Sequence, residues 1–90
     1  MKDATPITDE RLLALVEEAL KSLGDARIRI DRLSMEATLA GLGVDSMNAI
    51  EMAAYLEDKL GIRMPDDQLA QVNSVSGLAR IIRAQLERAA

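Results

Sequence analysis

The stretch Gly41-Leu42-Gly43-Val44-Asp45-Ser46-Met47-Asn48-Ala49-Ile50-Glu51-Met52 decides how this chain folds. Two glycines punctuate it, and Asp45 and Ser46 are both residue types that cap the start of a helix. From Ser46 to Leu60 no glycine or proline interrupts, Lys59 sits near the end and Gly61 is a natural stop. The pattern predicts a helix over 46–60. Placed at 100° steps, Ala49, Met52, Ala53, Leu56 and Leu60 share one face, enough to seat the helix on a core. Met47, Ile50 and Ala54 form a second apolar stripe, with Glu51 and Asp58 beside it. A helix in a bundle needs one apolar face. The second stripe packs beneath residues 24–45, or is a docking surface, a small apolar patch rimmed by acids, or serves as both with Ile50 shared.

Outward from this helix the same signals recur. Thr8 reads as an N-cap, Asp9 and Glu10 put negative charge in a first turn, and Leu12, Leu13, Val16, Leu20 and Leu23 follow at helical spacing. Lys21 and Gly24 close a helix over 9–23, and residues 1–7 read as a lead-in. Toward the other end, Ser74 caps a last helix with Val75, Leu78, Ile82 and Leu86 on one stripe. Gly77 weakens its first turn by about 1 kcal/mol relative to alanine. Pro65 bars helix at the residue before it, and Asp66 is placed to cap a short helix over 66–71. Residues 24–45 hold no period for long, but Ile28, Ile30, Leu33, Leu39, Leu42 and Val44 can pin them to a core, with one helical turn expected near 36–40. The expectation is an all-α fold: three long helices, one short helix and a long first loop, packed as a small bundle in a single domain over 1–90.

Composition agrees and excludes much. Apolar residues make up 49% of the 90, yet there is one tyrosine, Tyr55, and no phenylalanine or tryptophan, so the core must be aliphatic. The absence of cysteine removes disulfides and thiol catalysis, and the absence of histidine removes the commonest general base and metal ligand. A net charge of −4 with almost no aromatics disfavours nucleic acid. The longest apolar run is five residues, too short to span a membrane. Met1-Lys2-Asp3 opens no signal peptide, which predicts a cytoplasmic protein.

Leu42-Gly43-Val44-Asp45-Ser46-Met47 resembles the modification motif of acyl carrier proteins, usually read as L-G-x-D-S-L. The resemblance continues through Ile50-Glu51-Met52, Glu57-Asp58-Lys59-Leu60 and Ile62-Arg63-Met64-Pro65-Asp66, and it covers residues 8–88. It implies a four-helix bundle with a long first loop. It further implies that a phosphopantetheinyl transferase moves 4′-phosphopantetheine from coenzyme A onto Ser46, with Asp45 matching the aspartate beside the attachment serine. Acyl or aminoacyl groups would then ride as thioesters on the arm's thiol. An acyl- or aminoacyl-loading ligase or transferase and synthase enzymes would be the partners of a monomeric, non-enzymatic carrier. Met47, Ile50, Glu51 and Asp58 fall where the family docks its enzymes, in agreement with the second stripe and its Ala54.

The departures are informative too. Asn48 is neutral where carriers of primary fatty-acid synthesis often have an acid, and Arg27, Arg29 and Arg32 add a basic cluster to the first loop. The pattern points to a specialised pathway: polyketide, peptide-type, aminoacyl or lipid-modifying. The same arginines also read simply as a solvated loop face. A different class of reading stays open: a helical protein-interaction module in which Ser46 is only a helix cap. Catalysis by the chain itself is disfavoured, because Lys59 lies about 20 Å along the helix from Ser46 at ~1.5 Å per residue. Arg83, Glu87 and Arg88 read as a solvated helix face with an i,i+4 pair between Arg83 and Glu87.

Overall fold

Thr8 sets the first helix as expected: its hydroxyl accepts from the Arg11 amide at 3.1 Å and α1 runs Asp9–Leu23. The computed structural model describes residues 7–89, so most of the lead-in expected over 1–7 lies outside the described residues. Three further helices follow: α2 at Ser46–Leu60, α3 at Asp66–Leu69 and α4 at Val75–Ala89. Ser74 caps α4 by accepting from the Gly77 amide at 3.1 Å. The all-α bundle of three long helices and one short one stands as the residue pattern implied.

The core is the shared product of the apolar stripes. Leu12, Leu15, Val16 and Leu20 of α1, Met52 and Leu56 of α2, and Val75, Leu78 and Ile82 of α4 are essentially sealed from solvent. Fully burying one such side chain contributes about 1.5–3 kcal/mol. An exposed ion pair such as Lys21–Glu17, at 3.0 Å, contributes about 0.2–1 kcal/mol. Aliphatic burial therefore dominates the energetics, with one half-buried ring, Tyr55, packed against this core.

The long first loop is ordered because it has somewhere to put both its side chains and its backbone. Ile28, Leu39, Leu42 and Val44 are buried in the same core. The backbone of residues 35–39 pairs with the approach to α4: the Leu39 amide donates to the Asn73 carbonyl at 3.0 Å, Val75 to Ala37 at 2.9 Å and Ser76 to Met35 at 3.0 Å. Thr38 and Ser74 thereby form an isolated antiparallel bridge. This displaces the helical turn expected near 36–40. The Met35 and Ala37 carbonyls are engaged across the molecule, so the turn closes two residues later, where the Thr38 carbonyl accepts from the Leu42 amide at 3.1 Å. A 3₁₀ turn lies at Ile30–Arg32.

Two further expectations change. Asp66 is the first residue of α3 and not its cap; Pro65 holds the capping position, and its carbonyl accepts from the Leu69 amide at 2.9 Å. The helix stops at Leu69, and residues 70–71 form a turn. Arg83 does not face open solvent with Glu87. Its guanidinium donates to the Ile7 carbonyl at 2.9 Å and the Asp9 carboxylate at 2.7 Å, tying α4 to the start of α1. The i,i+4 spacing only made Glu87 available, whereas packing α4 on α1 brought a carboxylate and a carbonyl together.

Candidate functional site

The site is the mouth of α2. Asp45 is in extended conformation, and its carboxylate accepts from the Asn48 amide at 2.8 Å. The Asn48 side chain reaches back to the Asp45 amide at 3.4 Å, so the two form a reciprocal capping box. Of the two candidate caps, Asp45 is the one used. Ser46 is the first helical residue and is exposed. Its hydroxyl is therefore not the helix cap, which removes the reading in which capping is its whole role.

Asn48 has a different part from the one its neutrality suggested. It is 7% exposed and turned into the protein, where its amide completes the box. The Asp-x-x-Asn spacing is the sequence signal that could have found this, since a residue three after the cap is placed to answer it.

The first loop walls one side of the mouth. The Arg29 amide donates to the Leu42 carbonyl at 2.7 Å, and Gly43 has φ +84°. A Cβ at Gly43 would stand 2.4 Å from the Arg27 carbonyl oxygen, so the two backbone segments touch only because residue 43 has no side chain. Asp25 then fixes the side chain of Arg27. Its carboxylate accepts from Arg27 Nε at 3.1 Å and Nη2 at 2.8 Å, and from the Arg27 amide at 2.9 Å. Arg27 Nη2 also lies 3.9 Å from the Asp45 carboxylate. The Arg27 side-chain hydrogen bond lowers the Asp25 pKa to about 2, helped by the Arg27 amide and, least, by the Asn48 side chain. The hydrogen bond from Asp25 raises the Arg27 pKa in turn. The Asp25–Arg27 pair was missed as a site feature. Its signal was the two-residue spacing of an aspartate that bonds the backbone ahead of it.

The second stripe of α2 is exposed. Met47 is 65% and Ile50 60% exposed, and Ala54, Glu51 and Asp58 are exposed beside them. The reading in which residues 24–45 cover this stripe is thereby overturned, because that loop gives its backbone to α4 and its apolar side chains to the core. Lys59, at the far end of α2, pairs with Glu18 of α1 at 3.4 Å and takes no part in the mouth.

Chemically, the mouth offers a primary hydroxyl at a helix N-terminus, where unpaired amides and about half a positive charge favour an anion. Among the described residues no group of three or more His, Cys, Asp or Glu is arranged to hold a metal. An exposed hydroxyl that the cap does not use, on a helix end that favours negative charge, fits a phosphate ester.

Comparison with known proteins identifies the family. Residues 10–82 match the family described as the phosphopantetheine attachment site. An acyl carrier protein of Clostridium acetobutylicum is 32% identical over 76 residues, covering 81% of this chain and 99% of that protein. A non-reducing polyketide synthase of Talaromyces marneffei is 37% identical over 57 residues, covering 63% of this chain. The chain spans only 2% of that synthase's length. Among solved structures, the hexanoyl acyl carrier protein of the actinorhodin polyketide synthase from Streptomyces coelicolor aligns with a TM-score of 0.77 at 27% identity. That alignment covers 98% of this chain and 100% of the other.

The bundle and its helix mouth are those of a small helical carrier. The chain belongs to the acyl carrier protein family, and its prosthetic group is a covalently attached 4′-phosphopantetheine.

Proposed function

We propose that Ser46 is the attachment residue and that the chain carries acyl intermediates of a specialised pathway, polyketide-type before fatty-acid-type. The observation that carries the first part is the division of labour at the mouth of α2: Asp45 caps the helix, and the adjacent exposed Ser46 keeps its hydroxyl. In the attachment, the bond formed joins Ser46 Oγ to the phosphorus of the arm. The bond broken is the diphosphate linkage of coenzyme A, whose adenosine 3′,5′-bisphosphate half leaves, and the hydroxyl proton passes to the transferase. The arm supplies the terminal thiol for thioesters, which a chain without cysteine cannot. The chain's own contribution is to present the serine, to favour the phosphate by the helix end and to display a docking face. With neither histidine nor cysteine it has no evident nucleophile and base pair of its own, and we take it to be a carrier and not a catalyst.

Support for the polyketide-type reading comes from the fungal synthase segment and the actinorhodin carrier, and from the mildness of the charge on α2. The partners we infer are a phosphopantetheinyl transferase, a loading ligase or transferase, and synthase enzymes that meet Met47, Ile50, Glu51, Ala54 and Asp58. We take the carrier to act as one monomeric domain in the cytoplasm; no helix among the described residues is long and apolar enough to cross a membrane. The test is direct. The protein is incubated with coenzyme A, magnesium and a broad-specificity transferase and then weighed. A gain of one phosphopantetheine that is lost in Ser46→Ala supports the assignment. A gain that persists in Ser46→Ala, or no gain where a control carrier is modified, overturns it.

A further inference from the structure

The first-loop arginines are the part of the sequence that the carrier reading does not absorb, and the structure treats them unequally. All three are exposed. Arg27 alone of the three is held by ion pairs, and three anchors place it. Its backbone lies against Gly43, where a Cβ would come within 2.4 Å of its carbonyl oxygen. Two residues on, the Arg29 amide is bonded to the Leu42 carbonyl at 2.7 Å. Its guanidinium is gripped by Asp25 at 2.8 and 3.1 Å. These contacts bring Nη2 to 3.9 Å from the carboxylate of Asp45, the residue immediately before Ser46.

Charge gives this placement a purpose. The mouth of α2 already holds two carboxylates, Asp25 and Asp45. A phosphodiester on Ser46 adds a third negative charge directly beside Asp45. The helix end offsets about half a charge. Among the described residues, Arg27 is the cation whose ion pairs reach both carboxylates, and its backbone is firmly placed. A guanidinium has five N–H donors, more than the Asp25 carboxylate engages, so Arg27 can keep Asp25 and still bond a phosphate oxygen.

Resting on the assignment of Ser46, we propose that Arg27 is the phosphate-binding residue of this carrier: it holds the phosphodiester at Ser46 and so fixes the direction in which the arm leaves the bundle. Arg32, on the 3₁₀ turn, has no such role and serves as the internal control.

The experiment uses the full chain, labelled for NMR, before and after loading from coenzyme A, with loading confirmed by mass. The Nε–H resonance of Arg27 is expected to shift on loading while those of Arg29 and Arg32 stay in place. The phosphorus resonance of the loaded Arg27→Gln protein is expected to differ from that of the wild type, and the loaded Arg32→Gln protein to coincide with it. The difference shrinks as salt is raised, because the pair is exposed and screened. Full loading with the same phosphorus resonance in wild type and Arg27→Gln overturns the role of Arg27 and leaves the carrier assignment standing. Failure of the wild type to load overturns that assignment, and this proposal with it. If Arg27→Gln disturbs the fold, the wild-type Nε–H comparison decides alone: no shift at Arg27 refutes the proposal.

Discussion

Replacing Gly43 by alanine should damage this protein more than replacing any helix-ending glycine, and the reason can be worked out atom by atom. Gly43 has φ +84°, and left-handed backbone costs an alanine about 1–2 kcal/mol. The new Cβ would also lie 2.4 Å from the Arg27 carbonyl oxygen and 3.2 Å from its carbonyl carbon. Both are backbone atoms, held in place by the buried Ile28 and the Arg29–Leu42 hydrogen bond, so relief requires the loop to move. Such overpacking costs about 1–3 kcal/mol. Gly61 is the matched control: φ is +67°, and a Cβ there meets nothing within 4 Å. Gly61→Ala carries only the conformational cost. Against a total stability of about 5–13 kcal/mol for a chain this size, the extra loss at Gly43 is large. At about 4–8 °C per kcal/mol, Gly43→Ala should melt at least ~4 °C below Gly61→Ala. Far-UV circular dichroism measures this, and amide spectra should show Gly43→Ala disturbing residues 27–29 and 42–48 together. Equal melting temperatures for the two variants would refute the claim that the first loop is pressed against the mouth of α2.

Three further outcomes are expected. Asp45→Ala removes the carboxylate that receives the Asn48 amide at 2.8 Å and should lose about 0.5–2 kcal/mol, read from denaturant unfolding; an unchanged midpoint would return the cap to Ser46. The Asp25 carboxyl is held at about 2 when folded against 3.8 when unconstrained, so its pairing favours the folded state fully above about pH 4. That contribution is lost as pH falls from about 4 toward 2, and Asp25→Asn should flatten this acid limb of the stability profile measured by thermal melts. Ile50→Ala, Glu51→Lys and Asp58→Lys touch only exposed positions of α2 and should keep stability within about 0.5 kcal/mol. They should weaken binding of the loading enzyme in calorimetric titration, and wild-type affinity in all three would remove this face from partner docking.

Most of the architecture was legible residue by residue. Thr8, Gly24, Gly61 and Ser74 mark helix ends by local chemistry, and a 3.6-residue stripe identifies the buried face whatever it packs against. The first loop was legible only in part. Its apolar side chains announced that it would be ordered, but the pairing of residues 35–39 with the entrance to α4 joins segments more than thirty residues apart, and no local pattern encodes it. The same holds for Arg83, whose nearest acid in sequence is not its partner in space.

The site divides along the same line. The chain alone specified the Asp45-Ser46 junction, the aliphatic character of the core and the two stripes of α2, because each depends on residue type and on the periodicity of a single helix. Tertiary structure decided which residue of the pair caps, which stripe faces solvent and which arginine stands beside Asp45. Those outcomes depend on contacts between distant segments, where burial of apolar side chains and satisfaction of backbone hydrogen bonds select one arrangement from several that local rules allow.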